Sequence, residues 1–471
     1  MFDRKVDFNN QSFVEQQLAY ADAVKEILLK KYNNTPKAFI HTYGCQQNVS
    51  DSEKLQGMVL KMGYEFCTSV EEADLVLFNT CAVREHAEAR VFGNVGQLKK
   101  MKQENPDLII ILCGCMVQQP HIAEKVKKSY PYVDIVFGTF MRNRLAELVY
   151  RRLTRKKRVF EINESNNEIV EGMPIKRDGT FKAWLPIMQG CNNFCTYCVV
   201  PYVRGRERSR KSSEIVLEAE NLIKSGVKEI MLLGQNVNSY GLGNDDGVNF
   251  AKLLRMVNDI PGEFRIRFMT SHPKDCTKEL IDAMAECEKV CHHLHLPVQS
   301  GSDTILKRMN RHYNTQKYLS LIEYAKEKMP DLELTSDIIV GFPGEEYEDF
   351  QKTVDIIKKV GFYSLFTFIF SPREGTPAAV MEDKIPQKEK SLWFRELLKV
   401  QEEVSDELNK KLVGKTVTVL CEESSRNENM MSGKTNGYAT VDFEASSEHI
   451  GQFLKVEITG YDGVLIGKVK E

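Results

Sequence analysis

Between Ala38 and Phe370 the chain alternates short apolar runs with polar segments of helical length, and no other feature restricts its fold so strongly. Short apolar runs bounded by turn residues fit buried parallel strands, and the segments between them fit the crossover helices that such strands require. Up to about Val149 the runs are AFIHTYGC, ADLVLFNTC, DLIIILCGCM and YVDIVFGT, which predict a parallel α/β sheet. From Trp184 they are WLPIMQGC, KEIMLLGQ, FRIRFMTS, HHLHLPVQS, LTSDIIVGF and YSLFTFIFS. About six βα units predict a partial (β/α)6 barrel, open where a full barrel has eight.

The basic stretch YRRLTRKKRVF and the polar run EINESNNEIVEG separate the two blocks. Val14, Leu18, Ala21 and Ile27 fit a short amphipathic helix in an N-terminal extension to which no function is assigned. The charged run KEKSLWFRELLKVQEEVSDELNKKL closes the second block. Beyond Gly414, TVTVL, YATVDF, FLKVEI and VLIGKV alternate between Gly, Asn and Ser turns, as in a small all-β barrel. The expected division is therefore 1–36, an extension; 37–155, a sheet domain; 177–408, a partial barrel; and 409–471, a small β-barrel. With 471 residues and 42% hydrophobic content there is enough apolar material for each domain to bury a core.

No apolar run reaches bilayer length and the first residues contain no signal-like apolar region, so a soluble, cytoplasmic protein is expected. The formal charge of -2 leaves no global basic footprint, and a nucleic acid would have to be held by local patches.

Twelve cysteines in such a chain point to metal or redox work, because reducing cytosol disfavours structural disulfides. The segment CNNFCTYC places Cys191, Cys195 and Cys198 within eight residues, with no fourth Cys or His nearby. A structural zinc site asks for four protein ligands, whereas three thiolates on a 4Fe-4S cluster leave one iron open to a small molecule. A second set, Cys45, Cys81 and Cys115, falls just past the ends of three apolar runs at intervals of 36 and 34 residues. Parallel strands bring such ends to one edge, so these thiols are placed to converge; the alternative is cysteine as a small buried hydrophobe. Cys113, two residues from Cys115, competes for the third position. Cys67, Cys276, Cys287, Cys291 and Cys421 lack partner spacing and read as structural or incidental.

Strand ends in the barrel block carry Gly234 to Asn236, Ser271 and His272, Gln299 to Gly301, and Asp337 with GFPGE. Polar, Gly-rich strand ends suit a polar cofactor. Ser50 with Glu53 fits a capping box opening a helix beyond Cys45. Two basic patches, VRGRERSRK from Val203 and RRLTRKKR from Arg151, are candidates for phosphate contacts.

The motif CNNFCTYC resembles the radical S-adenosylmethionine (SAM) superfamily, and Tyr197 matches the aromatic residue usual there. The strings TYGCQQN, NTCAVRE and GCMVQ resemble the cluster motifs of its methylthiotransferase family, and the last 60 or so residues resemble the TRAM RNA-binding domain. The resemblance runs nearly unbroken from 37 to 471. LPIMQGCNNFCTYCVVPYVRGRERSR and LLGQNVNSYG look most like the branch acting on dimethylallyladenosine in tRNA. It implies a radical SAM cluster on Cys191, Cys195 and Cys198, and an auxiliary 4Fe-4S cluster on Cys45, Cys81 and Cys115, with Cys115 preferred to Cys113. With SAM as the implied cofactor, Gln235, Ser300 and Asp337 are candidates for its contacts by their place at the polar strand ends. The implied reaction methylthiolates carbon 2 of N6-dimethylallyladenosine next to the anticodon, SAM serving as methyl donor and radical source. A side-chain base could not ionise that C–H bond, so a radical is needed. The implied partners are a tRNA anticodon stem-loop, a reductant and a sulfur donor, with the protein a monomer. Rival readings are a sister enzyme acting on threonylcarbamoyladenosine or on a ribosomal-protein aspartate, and a non-catalytic iron–sulfur RNA-binding module.

Overall fold

A computed structural model describes residues 12–82, 85–162 and 169–470. The chain forms two compact units: Met1–Asp178 with Val199–Arg208, and Gly179–Cys198 with Ser209–Glu471.

In the first unit, β1 (Lys37–Thr42), β2 (Glu65–Phe66), β3 (Leu75–Thr80), β4 (Ile109–Gly114), β5 (Ile135–Phe137) and β6 (Val159–Glu161) form one sheet in the order β2-β1-β3-β4-β5-β6. All its pairings are parallel. Strand β3 is buried along its whole length, because both faces of the sheet are covered. Leu75, Leu77, Ile109 and Ile111 pack with α1 (Phe13–Lys31), α2 (Gln46–Lys61) and α5 (Leu145–Arg155). Val76, Phe78, Ile110 and Leu112 face α3 (Glu85–Glu104) and α4 (Pro120–Ser129).

Two expectations change here. Helix α1 is part of the core, burying Gln17, Ala21, Val24 and Leu28, a stripe that shares only Ala21 with the predicted one. Helix α2 starts at Gln46 with Cys45 as its N-cap, so Ser50 and Glu53 lie inside the helix and form no capping box. Glu53 instead pairs with Arg177 at 2.9 Å.

The second unit begins with β7 (Lys182–Pro186), and in sequence its cysteine loop is flanked by the short strands β8 (Met188–Gln189) and β9 (Arg208–Ser209). Strands β10 (Glu229–Leu233) and β11 (Arg265–Phe268) pair with β7 in the order β11-β10-β7. Strands β12 (His293–His295), β13 (Glu333–Val340) and β14 (Ser364–Ile369) form a second parallel set. A parallel bridge between Ile266 and Val290 joins the sets, giving the six-stranded, open array that the alternation predicts. Five further strands close a barrel in the order β15-β16-β17-β19-β18: Thr416–Ser424, Met430–Thr435, Thr440–Glu444, Phe453–Asp462 and Val464–Val469 for β15 to β19 in turn. Its core includes Val419, Cys421, Val441, Phe443 and Ile458.

The closed barrel seats on the N-terminal ends of the parallel strands. Glu229, the first residue of β10, accepts from Arg265 Nε at 2.7 Å and Arg267 Nε at 2.8 Å. Both arginines donate onward to the carbonyl of Thr435. Glu333, first in β13, accepts from the backbone N–H of Ala439 at 3.0 Å, and His293 stacks on Tyr438. Occupation of this end leaves the C-terminal strand ends to the loops, where a fold of this kind carries its chemistry.

Candidate cluster and cofactor sites

In the first unit the cysteine-bearing strand ends come together as the parallel register requires. Thr42 pairs with Asn79 and Thr80 with Gly114, so the residues that follow share one edge of the sheet. A Cβ on Gly44 would fall 2.7 Å from Cys81 Cβ, so only glycine lets the Cys45 segment lie against Cys81. Gly114 sits at a φ of +101°, and a Cβ there would meet the Thr80 carbonyl oxygen at 2.4 Å. The turn it permits separates its neighbours. Cys113 points into the core among Leu77, Ile111 and Ile135, while Cys115 lies with Ala82, Val199 and Val203.

Asn48, on the first turn of α2, ties the three positions together. Its Oδ1 accepts from Cys45 Sγ at 3.5 Å and from Cys115 Sγ at 3.9 Å, and its Nδ2 donates to the Thr80 carbonyl, next to Cys81, at 2.8 Å. The same Oδ1 accepts from Arg204 Nη2 at 3.0 Å, and that nitrogen also donates to Asp51 Oδ2 at 2.9 Å. Arg204 is only 5% exposed, and its Nη1 has no partner among the described residues. Burial alone would weaken its charge, but Cys115 and Asp51 beside it hold it firmly protonated.

These neighbours set the thiol acidities. A hydrogen bond with Cys81, the Arg204 charge and the N–H groups of Asn48 and Gln47 outweigh burial and pull Cys45 down to about 6. Burial pushes Cys115 up to about 11 even with Arg204 beside it, and burial with Asp51 and Cys115 nearby pushes Cys113 well above the thiol range. No three His, Cys, Asp or Glu side chains among the described residues surround one point closely enough to share a single metal ion. A 4Fe-4S cluster makes a different demand, since each thiolate binds its own iron corner. A soft donor set with a buried, half-satisfied cation fits an anionic thiolate cluster.

In the second unit the loop carrying Cys191, Cys195 and Cys198 follows β7. Phe194 takes a φ of +47°, held by Asn310 Nδ2 donating to its carbonyl at 3.0 Å. Thr196 N–H donates to the Met309 carbonyl at 3.1 Å, and Cys198 N–H closes the turn onto the Cys195 carbonyl at 2.9 Å. Cys195 is buried, while Cys191 and Cys198 are half-buried.

Of the three expected cofactor residues, Gln235 turns its Oε1 to Gly190 N–H, anchoring the start of the cysteine loop. Asp337 stays partly exposed, with Oδ1 3.5 Å from His295 Nε2. Ser300 is fully buried, its Oγ accepting from Ser302 N–H at 3.2 Å. Its neighbour Gln299 is the residue with spare capacity: it sits at a φ of +69° and its buried Oε1 is unpartnered among the described residues. Asn236 Oδ1, Asn238 Oδ1 and Ser271 Oγ are unpartnered in the same way. An unpaired buried polar atom costs about 1–3 kcal/mol, and four of them at C-terminal strand ends mark a place for a ligand. Three are amide oxygens, which need donors, and SAM offers amino and hydroxyl hydrogens. Glu345 closes the GFPGE turn by accepting from Phe342 N–H at 3.2 Å, and burial raises it to about 7.

The sequence does not single out Asn48; it offers Gln299 only among the polar strand ends, and Arg204 only within a basic patch suited to phosphate contacts. Much of both basic patches is committed to the protein. Arg204 and Arg210 are buried, the latter donating to the Pro186 carbonyl at 2.7 Å. Arg152 pairs with Asp134 at 2.7 Å, and Arg158 caps the end of α4 through the carbonyls of Val126, Lys127 and Tyr130. Arg155, Lys156, Lys157, Arg206 and Lys211 remain exposed.

Models of three known families match successive parts of the chain. The radical SAM superfamily matches residues 185–357, the uncharacterized protein family UPF0004 residues 37–138, and the TRAM domain residues 410–470. The tRNA-2-methylthio-N(6)-dimethylallyladenosine synthase of Acetivibrio thermocellus is 49% identical over 97% of this chain and 96% of its own length. That of Clostridium tetani is 50% identical over 89% and 93%. The chain belongs to this synthase family. It is a radical SAM enzyme, and its cofactors are SAM and 4Fe-4S clusters. The synthase fold has a solved counterpart in the radical SAM methyltransferase TsrM from Kitasatospora setae. That structure, with cobalamin and a [4Fe-4S] cluster bound, aligns with 74% of this chain and 77% of its own at a TM-score of 0.53 and 14% identity. Among the described residues no helix is long and apolar enough to cross a membrane.

Proposed function

We propose that this chain methylthiolates carbon 2 of N6-dimethylallyladenosine in the anticodon stem-loop of tRNA, using two three-cysteine cluster sites with separate tasks. Cys191, Cys195 and Cys198 hold the radical SAM cluster; Cys45, Cys81 and Cys115 hold the auxiliary cluster from which sulfur is delivered. The observation that carries this reading is the gathering of the three distant N-terminal cysteine positions around Asn48 and the buried Arg204. When bound, the radical SAM cluster supplies the one-electron cleavage of SAM that an unactivated C–H bond requires.

The chain's own residues hold and orient the reactants. Gln235 fixes the cysteine loop through Gly190. The strand ends with Gln299 and Ser300, Asn236, and Asp337 form the SAM pocket, where unpaired amide oxygens take its amino and hydroxyl donors. Arg204 offsets the negative charge of the N-terminal thiolates. Residues 37–155, 177–408 and 409–471 act as the auxiliary-cluster, radical SAM and RNA-binding domains, in a cytoplasmic monomer that draws on an external reductant and sulfur donor. Exposed Arg155, Lys156, Lys157 and Lys211 are candidates for phosphate contact.

Iron analysis tests the two-site reading. Anaerobically reconstituted protein should hold about eight irons, on the order of two 4Fe-4S clusters, and replacing Cys191, Cys195 and Cys198 together with Ala should halve that. Full iron retention in the triple variant, or loss of all of it, contradicts two independent sites.

A further inference from the structure

Two nitrogen donors are aimed at the sulfur of Cys195. Arg311 Nη1 donates to Cys195 Sγ at 3.3 Å, and His272 Nε2 lies 3.9 Å from the same atom. His272 Nδ1 accepts from the backbone N–H of Lys274 at 3.1 Å, so the ring proton sits on Nε2 and points at the sulfur. Arg311 is 4% exposed and held on every side. Its Nη2 donates to the Pro297 carbonyl at 2.8 Å and its Nε to Tyr313 Oη at 3.1 Å, while Tyr313 donates to the Val298 carbonyl at 2.7 Å. The residues on either side of it, Asn310 and His312, both adopt left-handed backbone, with φ of +59° and +56°. Asn and His enter this region more readily than most side chains, and the two left-handed residues set the backbone direction on either side of the arginine.

Hydrogen bonds to the sulfurs of an iron–sulfur cluster, and fixed charge in a buried site, set its reduction potential. Donors favour the reduced, more negative state. From this geometry we infer that Arg311 and His272 are positioning residues that raise the reduction potential of the radical SAM cluster through Cys195, making it accessible to the electron donor. The inference rests on the assignment of Cys191, Cys195 and Cys198 as cluster ligands in the proposed function.

The test is an EPR-monitored redox titration of the full-length, anaerobically reconstituted protein. The Cys195→Ala chain first identifies which one-electron wave belongs to this site; if it keeps both waves, the ligand assignment itself fails. With the wave identified, Arg311→Met and His272→Phe should each lower its reduced-to-oxidised ratio at fixed potential about tenfold, a shift of about 59 mV for one electron. Arg311→Lys and His272→Gln keep a donor and should recover at least half of the shift, which a purely structural role would not produce. If Arg311→Met loses the cluster, the His272 pair decides. An unmoved potential in the truncated variants that retain the cluster, or an equal shift of the other wave, overturns the inference.

Discussion

Replacing Glu229 with Gln probes how the closed barrel is locked to the parallel strands. Glu229 is 6% exposed and its Oε2 receives both Arg265 and Arg267, each of which continues to the Thr435 carbonyl at the start of the turn facing the core. Burial opposes ionisation of this carboxyl, but Arg265 and Arg267, with Lys182 further off, pull it from an ordinary 4.5 down to about 2. That difference corresponds to about 3 kcal/mol, in line with the ~3–5 kcal/mol lost when one partner of a buried ion pair is removed. Because the folded value lies below the unfolded one, the contribution is complete above about pH 5 and disappears as pH falls through about 2. Urea unfolding of the iron-free full-length chain, followed by tryptophan fluorescence, suits the measurement, since both tryptophans, Trp184 and Trp393, lie in the second unit. Glu229→Gln should be less stable by about 3 kcal/mol at pH 7, with the gap shrinking to roughly half by pH 3. A gap under about 1 kcal/mol at pH 7, or one unchanged at pH 3, would refute the reasoning.

Other substitutions separate roles in the N-terminal site. Cys113→Ala should keep its full iron complement, whereas Cys115→Ala should lose about half of it, as iron analysis after anaerobic reconstitution would show; the reverse result would mean that the other member of the pair is the ligand. Arg204→Met leaves the buried Asp51 with Gln47 Nε2 at 3.3 Å and the more distant charge of Arg142 at 3.7 Å, so unfolding of the first unit should become easier by about 3 kcal/mol and auxiliary iron should bind less tightly. Near wild-type values for both would show that Arg204 is not coupled to the site.

What the sequence made legible follows from short-range rules, and what it hid follows from long-range ones. Alternating apolar runs gave the parallel sheet and the six-stranded array, because burial on both faces leaves little choice of residue in strands such as β3. The cysteines at successive strand ends could be read as a group because parallel register places them on one edge. Cys113 and Cys115 were harder to separate, since the deciding feature is the left-handed turn at Gly114. The capping box at Ser50 failed because Cys45, not a typical capping residue, opens α2. Arg204 looked like surface charge in a basic run, and only the fold reveals Asp51 and Asn48, about 150 residues away in sequence, as its partners. Ser300 and Gln299 are adjacent in the chain, and only the fold shows that Ser300 Oγ finds a partner in Ser302 N–H while Gln299 Oε1 has none among the described residues.

The most direct test of the function is mass spectrometry of nucleosides from tRNA incubated with the reduced, reconstituted enzyme and SAM. Transfer RNA carrying N6-dimethylallyladenosine should yield 2-methylthio-N6-dimethylallyladenosine, and Cys81→Ala should form 5'-deoxyadenosine without that product. Methylthiolation of threonylcarbamoyladenosine in its place, or no modified nucleoside from enzyme that holds both clusters and cleaves SAM, would contradict the account.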